Sequence, residues 1–460
     1  MEALTTIDRA MLYLEKEHQP THVGGLQIFS LPAASSQGSP ENIYETFKKT
    51  SKAQGLFTRK LSFKLGTPYW IEDKDFDIEN HLFFHQLPES SDHSQLTRFA
   101  QYQHSLLLDR KVPLWECHFI VGFSKTQFAI YTKMHHALID GVSAMNMLTE
   151  FFTPEATDIP TPFWNREYKK LRSRKKLGAL GQAKALTNKL TKQLLSVTEI
   201  GNDLRKQFTG QAQFDRLFAA PKTNFNQNLS KSKVFSNKTI KRKRVKAIAE
   251  HFGCSTNDII LALCSTSLRN YLKQKNHLPS QPLIASVPSS LRTDKSIGGN
   301  EVGMLQVNLA TEIESIISRT RAIIDSTRYE KSRLASLSKE AAMNIGFINN
   351  FPNLLQALSG LEMNHLPSNV IVSHVVTPKG NKYLGQAKLE AFYPLSGIFN
   401  GMGLNITLIT DNDLIHFGII ACENAVPDLE ALSEGLLTAL DELESAIIPN
   451  EHEASIAKAS

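Results

Sequence analysis

The chain has 460 residues, 51 Lys plus Arg against 45 Asp plus Glu, a formal charge of +6, and 41% hydrophobic and 21% charged residues. That balance predicts two or three folded domains, excludes wholesale disorder, and is too weakly cationic to point to nucleic acid. Four scattered cysteines with no CxxC pair argue against a disulfide framework or zinc ribbon and suit a reducing cytosol.

The opening MEALTTIDRAMLYLEKEH is amphipathic with an early acid, unlike a secretory signal, and no window offers the roughly 20 apolar residues a membrane span requires. Ser39-Pro40 predicts the start of a helix with Ile43 and Phe47 on one face, and Asp92 the N-cap of another carrying Leu96, Phe99, Gln103 and Leu106. Strands are expected at Lys60–Lys64, Phe76–Leu87, Trp115–Phe123 and Gln127–His135. Several follow one another without a helix between, which predicts a mixed sheet. Between Arg166 and Lys192 ten basic residues face the single acid Glu167, and Leu186, Leu190, Leu194 and Val197 form a helical stripe. This segment reads either as an inter-domain linker with one packed helix or as a basic amphipathic element resting on anionic lipid. A polar loop is expected over Asn224–Lys233, and then a helix capped by Thr256. Strands follow at Pro282–Val287, Met304–Leu309, Asn369–Val376, Gly403–Ile409 and Leu414–Ala421, with helices near Glu312–Ser336 and Asp428–Ile447. The expected division is 1–165, a linker over 166–230, a second α/β unit over 231–449 and a disordered tail over 450–460.

The most informative run is His135-His136-Ala137-Leu138-Ile139-Asp140-Gly141. It follows a strand whose even positions, Phe128, Ile130, Thr132 and Met134, share a face that His136 would continue. Asp140-Gly141 predicts a turn, and Val142, Met145, Leu148 and Phe152 the helix beyond it. Adjacent histidines on a strand point to opposite sides, and no HxH, HxxxH or HExxH spacing is present, so a metal site is not expected. A neutral imidazole here can take a proton from a hydroxyl or amine as it attacks an activated acyl group. Without a GxSxG elbow or an evident nucleophilic cysteine, the expected chemistry is direct transfer without an acyl-enzyme.

HHALIDG matches the HHxxxDG signature of the chloramphenicol-acetyltransferase-like acyltransferases. The chain further resembles one branch, the bacterial wax ester synthase/diacylglycerol acyltransferases, from about residue 4 to residue 447. The resemblance rests on TTIDRAMLYLEKEHQPTHVGGLQIF, Pro113-Leu114-Trp115-Glu116, Ser290-Leu291-Arg292, Gly299-Asn300, Asn369-Val370-Ile371-Val372-Ser373 and Gly401-Met402-Gly403-Leu404-Asn405-Ile406-Thr407. It implies an α/β fold of mixed sheets in two such domains, with a tunnel through their interface and His136 at its middle.

The activity implied is transfer of a long-chain acyl group from acyl-CoA, a substrate rather than a cofactor, to a long-chain fatty alcohol or to diacylglycerol. His136 would be the general base and His135 its support. Asp140 would hold the loop through a distant arginine, Gly141 would leave room for substrate, and Asn300 would polarise the thioester carbonyl. Pro113, Trp115 and Arg292 would be scaffold at the domain junction. Ser373 and His374 would lie beside the channel, the histidine standing where many relatives have asparagine in SNVPGP. A cytoplasmic protein touching the inner membrane surface or lipid inclusions is implied, with no nucleic-acid partner. Two other readings remain: a condensation-type enzyme using a carrier-bound donor, and a non-catalytic lipid-surface binding protein.

Overall fold

The computed structural model describes residues 2–31, 38–139, 141–166, 219–290, 302–338 and 366–447, together with 341–342, 345, 352–353 and 355–364. The basic stripe beyond Arg166, the tail after Pro449, and Asp140, Arg292 and Asn300 lie outside the described residues. In the first half the order is β1 (Glu2–Ala3), α1 (Thr6–Leu14), β2 (His22–Ser30), α2 (Pro40–Thr50), β3 (Arg59–Lys64) and β4 (Thr67–Glu72). It continues with β5 (Leu82–Gln86), α3 (His93–Ser105), β6 (Trp115–Val121), β7 (Gln127–His135) and α4 (Gly141–Glu150). The second half supplies β8 (Lys233–Lys241), α5 (Arg242–Phe252), α6 (Thr256–Gln274), β9 (Ile284–Ser290), β10 (Val302–Asn308) and α7 (Ile316–Ala335). β11 (Val370–Val376), β12 (Tyr383–Leu384), β13 (Ala387–Leu395), β14 (Leu404–Asp411), β15 (Leu414–Cys422) and α8 (Leu429–Ile447) complete it.

Local chemistry sets the helix starts. Ser39 accepts the Asn42 N–H with Pro40 at the first position, and Ile43 and Phe47 are buried one turn apart. Asp92 and Gln95 form a capping box on α3. The buried face of α3 is Leu96, Ala100 and His104, so Gln103 and the exposed Leu106 fall off the expected stripe. Ser255, not Thr256, caps α6, because its hydroxyl reaches the Asp258 N–H while the Asp258 carboxylate reaches back. The expected strand over Phe76–Leu87 shrinks to β5, since Ile78–Asn80 form a short helical turn. The expected polar loop at Asn224 is partly interior: Phe225 and Asn226 are buried, and Asn226 bonds the Ser368 and Gly401 carbonyls and accepts from Asn369. Among the described residues no helix is long and apolar enough to cross a membrane.

Both large sheets are mixed, as expected. The first runs β12-β13-β2-β7-β6-β5 with only β5–β6 parallel, and the second runs β10-β9-β11-β14-β15-β8 with β11 parallel to both neighbours. The expected division at residue 231 misses one exchange: β12 and β13, from the second half, complete the first half's sheet, with Leu395 opposite Gly24. At the crossing of β13 and β15, the Pro394 carbonyl oxygen lies 1.7 Å from where a Cβ on Gly418 would stand, so only glycine admits this approach.

Candidate active site

The turn after β7 is held from behind by α1. His135 is fully buried, and its Nδ1 accepts the Ala137 N–H at 2.9 Å, which puts the ring proton on Nε2. That Nε2–H donates to Thr21 Oγ1 at 3.0 Å, whose own hydroxyl donates to the Met11 carbonyl, and it lies 3.3 Å from Glu15 Oε1. Arg110 grips the same carboxylate at 2.8 and 3.1 Å. Burial pushes the Glu15 pKa upward, but His135 and Arg110 outweigh it and hold the carboxyl below its ordinary range. The His136 N–H donates to the Thr21 carbonyl at 2.9 Å, so both histidines are fixed to the chain entering β2.

β7 ends at His135 and His136 begins the turn, yet His136 lines the same cavity as Thr132 and Met134. This cavity, about 310 Å³, lies between the two halves. Met11, Val23, Gly25, Met145 and Leu148 come from one side, and Met304, Ile371, Ser373, Val375 and Phe399 from the other. Gly141 opens α4 at its wall, where an added Cβ would meet nothing within 4 Å. One polar strip of the lining is internally bonded: Ser396 donates to Thr407 at 2.8 Å, Thr407 to Asn405 Oδ1 at 2.8 Å, and Asn405 Nδ2 to the Gly397 carbonyl at 3.1 Å. His22 donates from Nε2 to the His104 carbonyl at 2.7 Å, and burial drives its pKa far below the usual value, so it is neutral. The site is therefore a largely apolar chamber with one fixed polar strip and the imidazoles of His22 and His136 at its wall.

Of the residues singled out in the sequence, His135, His136, Gly141 and Ser373 gather at this turn and cavity. His374 does not. It follows Ser373 on β11 and so faces the other side, where Nε2 bonds Thr410 Oγ1 at 2.8 Å. Burial, with Arg242 adding to it, lowers its pKa to about 4. Trp115 is not at the junction of the halves but inside the buried apolar cluster of the first half, stacked between His81 and Trp164 at 4.5 and 5.2 Å and donating from Nε1 to the Phe57 carbonyl. Pro113 is buried two residues before it, and its carbonyl accepts the Trp115 N–H. The sequence alone did not flag Glu15, Thr21 or Arg110, which become partners of His135 only through tertiary packing.

Two mixed sheets enclosing a shared cavity, with an HHxxxDG turn at its wall, define the architecture of the chloramphenicol-acetyltransferase-like acyltransferases. The chain belongs to the wax ester synthase/diacylglycerol acyltransferase family: its catalytic-domain model matches residues 4–260 and its C-terminal-domain model residues 298–444. The chain is 32% identical to the O-acyltransferase WSD of Acinetobacter baylyi, over 96% of both chains. The wax ester synthase/diacylglycerol acyltransferase of Marinobacter aquaeolei VT8 is 31% identical and superposes with a TM-score of 0.78 over 97% of this chain and 99% of that one. The first condensation domain of the CDA synthetase, 14% identical with a TM-score of 0.58 over 96% and 95% of the chains, shares the fold alone. The protein is thus an O-acyltransferase of the wax ester synthase/diacylglycerol acyltransferase kind.

Proposed function

We propose that the enzyme moves a long-chain acyl group from acyl-CoA to a long-chain fatty alcohol, giving a wax ester, and to diacylglycerol, giving triacylglycerol. The observation that carries this is the position of His136 on the wall of an apolar cavity bounded by both halves of the chain. Apolar walls hold alkyl chains at about 0.8 kcal/mol per buried methylene and read no polar feature of them, which favours broad chain-length tolerance. Both substrates are bound together. His136 takes the acceptor hydroxyl's proton as its oxygen attacks the thioester carbonyl carbon. The tetrahedral intermediate collapses by breaking the C–S bond, and the proton passes from the imidazolium to the departing CoA sulfur.

His135, fixed by Glu15 and Thr21, keeps the turn in place, and Gly141 leaves space beside the base. Asn300 donates to the developing oxyanion, Asp140 holds the loop through an arginine, and Arg292 is scaffold; these three roles rest on the family resemblance. The enzyme works from the cytoplasm in peripheral contact with a membrane or lipid inclusion. The test is CoA release from palmitoyl-CoA and hexadecanol by purified protein, with products resolved for the alcohol and for diacylglycerol. His136→Ala should lose roughly 100-fold or more. Equal turnover by the variant would refute the base assignment, and activity confined to carrier-protein thioesters would refute the donor.

A further inference from the structure

We propose that the outer face built around α1 docks onto a zwitterionic lipid surface, the choice of lipid resting on the functional reading above. Three elements converge on α1. The Tyr13 hydroxyl donates to the Gly66 carbonyl at the tip of the β3–β4 hairpin, 3.4 Å away. Arg110, in the loop after α3, donates to the Leu12 carbonyl at 2.8 Å. Lys16 donates to the Ala357 and Leu358 carbonyls at 3.3 and 2.9 Å. Beneath them Leu4, Leu12, Leu61, Trp70, Leu108 and Ala137 belong to one buried cluster, so α1, the hairpin and the loop after α3 share a base with the HHALIDG turn. Above it they and segment 355–361 present Tyr13, Phe63, Leu65, Leu107, Leu358 and Leu361 to water, with Leu65 99% and Leu361 69% exposed. Among the described residues Val376 alone of the exposed large apolar side chains lies off α1, the hairpin, the end of α3 with its loop, and segment 355–361.

The hairpin tip is the most telling point. Leu65-Gly66 is a two-residue turn closed by the Lys64–Thr67 pair, and Leu65 sits at φ +50°, where Asn, Asp or Gly is the ordinary choice. A leucine held there, wholly in water, breaks both turn chemistry and surface chemistry unless an apolar phase covers it. Charge selects the kind of surface. Carboxylates bordering the face are answered within the chain, as Glu2–Arg59, Asp73–Lys60, Glu15–Arg110, Glu17–Lys231 and Glu362–Lys222. With most ions on the face paired, and exposed Lys64 and Lys111 among those that are not, the face carries little net charge and suits headgroups with none. The face is also continuous with the chemistry: Met11 of α1 lines the His136 cavity, so one helix borders both.

The experiment sediments the full-length protein with phosphatidylcholine vesicles at low and high salt. Binding is expected to survive high salt and to fall roughly tenfold or more in the Phe63→Ser/Leu65→Asn double variant. Asn suits the turn better than Leu, so a matching melting temperature confirms an intact fold. Equal binding by the double variant overturns the proposal. So does wild-type binding that salt abolishes, because it transfers the contact to cationic residues. CoA release from butyryl-CoA and a soluble alcohol is read alongside. Turnover retained while docking is lost supports the assignment. Wild-type docking that the double variant loses, without turnover of any acyl-CoA, supports the docking face and refutes the functional reading.

Discussion

Enlarging Gly141 tests whether the space beside His136 belongs to the acyl chain. An added Cβ would meet nothing within 4 Å, and the residue lies outside the left-handed region, so neither packing nor backbone demands glycine. At the first position of α4, Gly141→Ala is expected to stabilise the fold by about 0.5–1 kcal/mol, by restricting the unfolded chain. Gly141→Leu introduces four carbons into a cavity of about 310 Å³. If each displaces one methylene of a bound chain, at about 0.8 kcal/mol apiece, the loss is about 3 kcal/mol, or roughly 200-fold in kcat/KM. That loss applies only to chains long enough to reach this wall. CoA release is measured with butyryl-, octanoyl- and palmitoyl-CoA at one alcohol, and melting is followed in parallel. A loss of the same size at every chain length would refute the reasoning, as would palmitoyl-CoA turnover at the wild-type rate.

The remaining predictions concern packing, acidity and strand parity. Gly418→Ala should cost at least about 3 kcal/mol, because its Cβ collides with backbone at the β13–β15 crossing; an unchanged urea midpoint would contradict this. Burial depresses the pKa of His104 to about 3 and of His374 and His416 to about 4. Between pH 6.5 and 4 the unfolded chain therefore binds more protons, so stability present above pH 6.5 is lost on acidification. The loss is about 1 kcal/mol per pH unit for each histidine, readable as urea midpoints at pH 7, 6 and 5 and shallower in His374→Asn. Because Ser373 faces the cavity and His374 the opposite side, Ser373→Leu should lower kcat/KM for palmitoyl-CoA roughly tenfold or more, while His374→Ala leaves it within about threefold. The reverse order would show that the strand faces are assigned the wrong way round.

What could be read in the sequence was what short-range chemistry determines. Ser39-Pro40, the Asp92 box and the alternation of Phe128, Ile130, Thr132 and Met134 announce α2, α3 and β7 because each signal lies within a few residues of its effect. His136 and Gly141 were legible for the same reason, as parts of one contiguous motif. α5 was hidden by its cationic sequence Arg-Lys-Arg, although Val245, Ile248 and Ala249 form its buried stripe and Gly253 ends it in the left-handed region. The misplacement of His374 was avoidable: once Ser373 is set beside the cavity, strand alternation sends the next residue away. Glu15 and Thr21 carry no local mark, because their meeting with His135 is made by packing alone.

The exchanged strand has a consequence for biosynthesis. β2 leaves the ribosome early, yet the edge at Gly24 acquires its neighbour only when Leu395 has been translated. At about 5–20 residues per second the nascent first sheet waits tens of seconds with an open hydrogen-bonding rim. Chaperone shielding of that rim should be part of this protein's maturation, and a gene truncated before β13 should yield insoluble aggregates rather than a half-size enzyme.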